Sequence, residues 1–503
     1  MNAEEPLDGP QAPPTGFGPT LLRIGPGLVL AGSIVGSGEL IATTTTGAQA
    51  GFTLLWLVLA GCLVKVFAQV EFGRAAVARG CTALGALDEL PGPRLRVGWG
   101  VWAWVAMTLL TLAQQGGIVG GVGSTLAQSV PLTEAGRARE AAAEEVTQLQ
   151  IAEALARMRG DEELAARSAD SLVAARAELA SVEQGSDAVL WAGLVTLLTC
   201  ALLFRGRYDL IQVVSTWTVA GFTLLTVATV VLLQLQDEWA VRASELAEGL
   251  SLSLPPAREG VRPLATALAT FGMIGVGAAE LVAYPYWCLE KGYARWTGRD
   301  DGSPAWTARA RGWLRVMRLD AWFSAGVYTF ATLAFYLLGA GVLGRVGLDP
   351  GRQDLVRTLA AMYEPVFGAY ARPVFLVGAF CVLYSTFFVA SAGMARIAAD
   401  AVVRLGLAPR ERGADCVRWL SVAFPLISFG VFAFVQAPLG LVLAGGVAQA
   451  LLLPVLGAAA LHQRYRRTRS ELAPGRLWDT ALWVSAAGFT VAGGWTLVNL
   501  LGS

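Results

Sequence analysis

The chain has 503 residues and a mass of 52.9 kDa, yet 55% of it is hydrophobic, 15% is charged and mean hydropathy is +0.54. A soluble domain carries about 25% charged residues, so the composition excludes a string of soluble domains and indicates a polytopic membrane protein. The formal net charge of +0 excludes a nucleic-acid-binding surface and leaves the lipid bilayer as the principal partner.

Residues 1–20 are rich in proline and glycine and carry no basic-then-apolar leader, so they are expected to form a disordered tail. Eleven apolar stretches long enough to cross a bilayer follow, near 22–48, 52–78, 98–129, 187–204, 210–235, 263–290, 318–344, 371–402, 414–435, 438–463 and 477–499. We number them spans 1 to 11. They divide the chain into spans 1–3 (21–130), an insert (131–186), spans 4–5 (187–262), spans 6–10 (263–463) and a loop with span 11 (464–503). Loops after the even spans are basic, as in Arg74/Arg79/Arg94/Arg96, Arg404/Arg410/Arg412 and Arg464 to Arg469. Loops after spans 3 and 5 are acid-rich. Arginine bias therefore predicts a cell-membrane protein with its N-terminus in the cytoplasm and its C-terminus outside.

The insert differs in kind. It is rich in Ala, Glu, Arg and Leu, has no proline after Pro131, and repeats apolar residues at helical spacing (Leu149, Ala152, Leu155, Ala156; Leu164, Leu172, Leu179). With Gly160 between two runs, it predicts an antiparallel helical hairpin on the outer face. It is either a plain solvated helix pair or a surface for a partner or a second copy of the chain.

Two segments carry the chemistry. Span 1 contains Gly36-Ser37-Gly38-Glu39-Leu40-Ile41-Ala42, and span 6 contains Gly275-Val276-Gly277-Ala278-Ala279-Glu280-Leu281-Val282-Ala283. Aligned on the glutamate, both read Gly-x-x-Glu-Leu-(Ile/Val)-Ala, five spans apart, and an odd number of spans per half inverts the second half. Paired glycine-interrupted spans point to a secondary-transporter site. Glycines let a helix break within the membrane, and the freed backbone must face a cavity or a ligand. Buried carboxylates are costly there, so Glu39 and Glu280 are candidate site residues, expected to share one cavity. GxG strings elsewhere, as in span 3, read as helix-packing motifs.

These residues resemble the Nramp divalent-metal transporters, which share the LeuT-type fold of two inverted five-helix repeats. The likeness begins at Gly25-Pro26-Gly27, runs through Ala42-Thr43 and Gly47-Ala48-Gln49-Ala50-Gly51-Phe52, and reaches Gln69. It implies an all-α 5+5 inverted repeat with 11 transmembrane helices, spans 1 and 6 being broken. The family's Asp-Pro-Gly-Asn turn falls on Gly36, Ser37, Gly38 and Glu39, and its Met-Pro-His on Ala279, Glu280 and Leu281. Its metal-binding aspartate, asparagine and methionine are therefore absent here, as is its histidine. A thioether favours soft transition metals; without it, Glu39 and Glu280 would suit a hard cation such as magnesium.

Lys65, one of two lysines, lies inside span 2, where it could neutralise Glu39 or Glu280, stand in for a coupling ion, or snorkel to the surface. Gln69 reads as a structural hydrogen-bonder. Gln114 and Gln115, Tyr384-Ser385-Thr386 and Gln449 could line the pathway or simply join helices; the resemblance places a tenth-helix glutamine at Gly446, about a turn from Gln449. Tyr284 and Trp287 could gate or anchor, and Asp209 and Asp320 read as helix N-caps. A single histidine, His462, and six scattered cysteines exclude a zinc cluster, a disulfide framework and histidine-based catalysis. No cofactor and no enzymatic reaction are expected. Three functions stay open: a transporter of a small cation, a transporter of an organic or zwitterionic solute, and a transport-inactive sensor that uses the hairpin.

Overall fold

The structure is a computed structural model that describes residues 9–182, 185–205, 208–256, 262–351 and 354–502. It is almost wholly helical; its only ladder among the described residues pairs Arg94–Leu95 with Val97–Gly98. Ten helices among the described residues are long and apolar enough to cross a membrane. The helix Tyr208–Leu233 takes the place of the fifth span and is apolar over Ala220–Leu233. Spans 1 (Pro26–Ala50) and 6 (Pro263–Lys291) are the most enclosed, at 94% and 83% buried, whereas span 9 (Arg410–Val435) is 22% buried. The two glycine-rich spans therefore form the centre of the bundle, and span 9 lies at its rim.

Both central spans are broken, as the sequence predicts. Span 1 runs as α-helix over Pro26–Ile34, turns at Gly36, continues as a π-helix over Ser37–Thr43 and returns to α-helix over Thr44–Ala50. Thr43 and Thr44 donate to the carbonyls of Gly38 and Glu39, satisfying acceptors that the widened turn loosens. Span 6 consists of Pro263–Met273 and Ala278–Lys291 with Ile274–Gly277 unwound between them. Gly275 takes φ +58°, and a Cβ there would lie 2.9 Å from the Cys62 Cα, so both conformation and packing demand glycine. At Gly36 a Cβ would fall 1.9 Å from Thr386 Oγ1, which lets span 8 (Glu364–Arg404) close on the first break.

Outside the centre, three expectations change. Span 7 is one helix from Pro304 to Leu338, starting well before 318, because the arginine-rich approach is amphipathic and buries Trp306, Ala310, Trp313 and Met317. Residues 1–8 of the expected tail lie outside the described residues, but from Gly9 onward it is docked. Gln11 N donates to Trp296 O at 2.8 Å, Trp313 Nε1 donates to Gln11 O at 3.0 Å, and Phe17–Leu21 is helical. Asp320 lies in mid-helix and does not cap its own helix. It accepts from Gly25 N (2.8 Å), Gly27 N (2.7 Å) and Tyr284 Oη (3.0 Å), capping the start of span 1. The side chain of Asp209 lies outside the described residues.

The insert forms two helices, Glu134–Met158 and Glu162–Ser181, folded back at Gly160 (φ +73°). Val146, Leu149, Leu172, Ala175 and Leu179 pack between them, while Leu164 stays exposed. Asp187 ties the root by accepting from Leu132 N and from Thr133 Oγ1. Arg357, 4% exposed, pairs with Glu140 and Glu144 at 2.6 Å each, and Arg372 pairs with the same two acids.

Candidate functional site

Where the sequence predicts one pocket shared by two carboxylates, the structure separates them. Glu280 lies in the first turn after the span 6 break and lines a cavity of about 30 Å³ between spans 1, 3, 6, 8 and 10. That is room for one or two waters. Its Oε1 accepts from Ser33 Oγ at 3.0 Å, at the end of the first half of span 1. Glu39, 0% exposed, lines no part of this cavity. Its Oε1 accepts from Gly275 N (3.2 Å) and from Thr332 Oγ1 of span 7 (3.0 Å). Among the described residues Oε2 has no hydrogen-bond partner. Each glutamate thus reaches across to the other broken span. Among the described residues no three His, Cys, Asp or Glu side chains are grouped to hold a metal ion.

The ends of span 6's two halves are capped by side chains from elsewhere. Lys65, wholly buried, donates to the carbonyls of Phe271 and Ile274, the latter at 2.8 Å. These are the last carbonyls of the first half, where a cation offsets the helix dipole. Lys65 therefore neither forms an ion pair among the described residues nor snorkels to the surface. On the far side of the break Ala279 N donates to Gln449 Oε1 at 3.0 Å, and Gln449 Nε2 donates to Gln114 Oε1 at 2.8 Å. Gln114 Nε2 then donates to Ser37 Oγ at 3.3 Å. One amide chain from spans 10 and 3 therefore joins the two breaks.

Of the residues expected at the site or along the pathway, Ser37, Gln114, Gln115, Ala279, Glu280 and Gln449 line the cavity. Gly36, Gly38, Gly275 and Gly277 shape the breaks without lining it. Gln69 was expected to hydrogen-bond, but neither amide atom has a partner among the described residues. Ser385 Oγ donates to Gly32 O and Val382 O, holding helices together, and Tyr384 stacks on Phe380 at 5.7 Å. Neither faces the cavity. Trp287 does, with the Arg396 guanidinium 4.6 Å from its ring centroid.

Sequence reasoning missed Ser33, Thr108, Thr111, Trp104, Met107 and Met394, which also line the cavity. Trp104, Thr108, Thr111 and Gln115 recur at steps of four, three and four, one face of span 3, and that stripe was the available signal. A larger cavity, about 810 Å³, lies at the hairpin end, lined by Gln49, Gln128, Glu140, Asp187, Asp354 and Arg357 among others. It reaches neither break.

No protein-family model matches the sequence, and no curated protein matches it. Solved structures do. A variant of the manganese transporter of Eremococcus coleocola matches with a TM-score of 0.64 at 14% identity, over 97% of this chain and 89% of that one. MhsT in complex with L-phenylalanine matches at 0.52 with 17% identity, over 93% of this chain and 97% of that one. Mhp1, a nucleobase-cation-symport-1 family transporter, matches at 0.50 with 13% identity, over 99% and 96%. With the two broken central spans, these likenesses show that the chain is a multi-pass membrane protein of the LeuT-type fold.

Proposed function

We propose that the protein is a secondary-active transporter of a small cation, working by alternating access about the breaks in spans 1 and 6. The observation that carries this reading is the Glu280 carboxylate facing a water-sized cavity at the junction of both breaks. An acid at a helix break inside a membrane bundle, even part-buried as Glu280 is, is costly unless it binds something. The Nramp resemblance supports the cation, and the absent aspartate, asparagine and methionine argue against transition-metal cargo. Arginine bias in the loops supports an orientation with the N-terminus in the cytoplasm and the hairpin outside the cell membrane.

Reconstituted protein tests the reading through charge movement in proteoliposomes on a solid-supported membrane. Wild-type protein should give substrate-dependent currents, and Glu280→Gln should abolish them at unchanged yield. Currents of wild-type size in Glu280→Gln would refute it.

A further inference from the structure

We propose that the hollow where spans 2, 8 and 10 end binds the phosphate headgroup of an anionic phospholipid. The site lies outside the two broken spans and is independent of what the protein transports.

Three of the basic loops read from the sequence converge there. The hollow measures about 650 Å³ and is lined by Arg79, Arg404, Arg466 and Arg467, against two acids, Asp88 and Glu89. Arg79 and Arg404 end the helices Leu55–Arg79 and Ala371–Arg404, and Arg466 and Arg467 end the π-turn Gln463–Arg467. Arginines at helix ends can hydrogen-bond the last carbonyls, but none of these four does so among the described residues. Arg79 reaches Glu89 at 3.1 Å, Arg467 reaches it at 3.2 Å, and Arg404 holds Asp400 at 2.9 Å. Arg466 is exposed and makes no hydrogen bond or ion pair among the described residues.

The two acids do not absorb this surplus of cations. Glu89 already accepts from Arg79 and Gln463, and Asp88 from Arg94 and from Gly98 N. A guanidinium is a fork of N–H donors with no acceptor of its own, so the hollow holds more donors than acceptors. A cation would meet like charge there. A phosphate brings both the missing acceptors and the missing charge, and arginine forks match its oxygens bidentately.

Depth assigns the phosphate to a lipid. Amphipathic aromatic rings sit at the level of the headgroups. Tyr465, the residue before Arg466, is exposed and accepts from Trp483 Nε1, also exposed, at 3.1 Å. On the other edge Asp88 holds Gly98, the cap of the helix Trp99–Ser129, whose first turn carries the exposed Trp102. The hollow therefore lies between aromatic anchors, where basic pockets at helix ends take anionic headgroups.

Native mass spectrometry of the detergent-purified full chain, titrated with phosphatidylglycerol or phosphatidylcholine, tests the assignment, with melting temperature followed in parallel. Phosphatidylglycerol should be retained in preference to phosphatidylcholine and should raise the melting temperature. Arg466→Gln should weaken its retention about tenfold, the worth of one charge-assisted hydrogen bond, and leave melting in phosphatidylcholine unchanged. Arg412→Gln, at an exposed arginine in the loop that follows Arg404 and outside the hollow, should retain the lipid as wild type does. Equal retention of the two lipids, wild-type retention by Arg466→Gln, or equal losses in both variants would overturn the site. Inorganic phosphate that raises the melting temperature as much as phosphatidylglycerol, at matched ionic strength, would mark a soluble anion and overturn the lipid assignment.

Discussion

Replacing Gly275 by alanine distinguishes a broken span 6 from a continuous helix by the sign of one free energy. In a continuous helix the change would stabilise by about 1 kcal/mol, the helix-propensity difference between the two residues. In the structure Gly275 sits at φ +58°, where a side chain costs about 1–2 kcal/mol. The new Cβ would also lie 2.9 Å from the Cys62 Cα and 3.3 Å from Tyr328 Cε2. The first neighbour is backbone and cannot rotate away, so overpacking adds about 1–3 kcal/mol. The expected destabilisation is therefore about 2–5 kcal/mol. Gly430→Ala is the control: it lies inside the helix Gly413–Val435 with nothing within 4 Å of a built Cβ, so it should stabilise by up to about 1 kcal/mol. Reversible unfolding in mixed micelles, followed by helicity, gives both values. If Gly275→Ala stabilises as the control does, span 6 is not broken at Gly275 and the site built on that break is wrong.

Further outcomes follow from the same geometry. Lys65→Met strips the cation from the carbonyls of Phe271 and Ile274. It should destabilise by about 1–3 kcal/mol, because unsatisfied carbonyls outweigh the relief of burying no ammonium; Cys62, 1% exposed beside Gly275, should then alkylate faster, and unchanged protection of Cys62 would count against the cap. Arg357→Ala leaves Arg372 with both hairpin acids, so the loss should be about 1–2 kcal/mol, less than the 3–5 typical of an isolated buried pair. Hydrogen exchange should quicken across 134–181 and stay unchanged in the spans. Glu89 lies in the loop after span 2, and although burial acts to raise its pKa, hydrogen bonding to Gln463 and the charges of Arg79 and Arg467 hold it below its ordinary 4.5. A depressed carboxyl pKa stabilises above that ordinary value and loses the contribution as pH falls through the folded one. Glu89→Gln should thus be less stable than wild type at neutral pH and equal to it in strong acid; a gap that persists in acid would refute the assignment.

The breaks were legible because glycine at the centre of an apolar span, twice, with an acid at the same offset, has few physical readings. The destinations of the acids were not. Glu39 and Glu280 occupy identical places in the Gly-x-x-Glu motif, but a π-helix over Ser37–Thr43 follows the first glycine and an α-helix from Ala278 follows the second. The different residue angles turn the two carboxylates to different sides, and no periodicity in the sequence distinguishes a π-turn from an α-turn. Lys65 was legible as a buried charge whose partner had to be named. Its partners are main-chain carbonyls, which every residue owns, so the sequence offered only the wrong candidates, the two acids. Asp320 was misplaced for a simpler reason: its helix begins sixteen residues earlier, at Pro304, and a cap position moves with the helix start.

The crossed carboxylates bear on how the proposed cycle begins. Glu39 holds Gly275 and Thr332 and has no contact with the cavity, so a ligand entering there leaves this brace between spans 1, 6 and 7 in place. Glu280 is held by Ser33 and faces the cavity, so a cation bound at Glu280 competes with the hydrogen bond between that carboxylate and the first half of span 1. In the proposed cycle, binding therefore loosens the Ser33 end of Pro26–Ile34, while Asp320 still holds the start of that helix through Gly25 N and Gly27 N. A helix loosened next to the break and held at its start pivots about the Asp320 cap, and Gly36, with no side chain to obstruct Thr386, leaves the loosened end room to move.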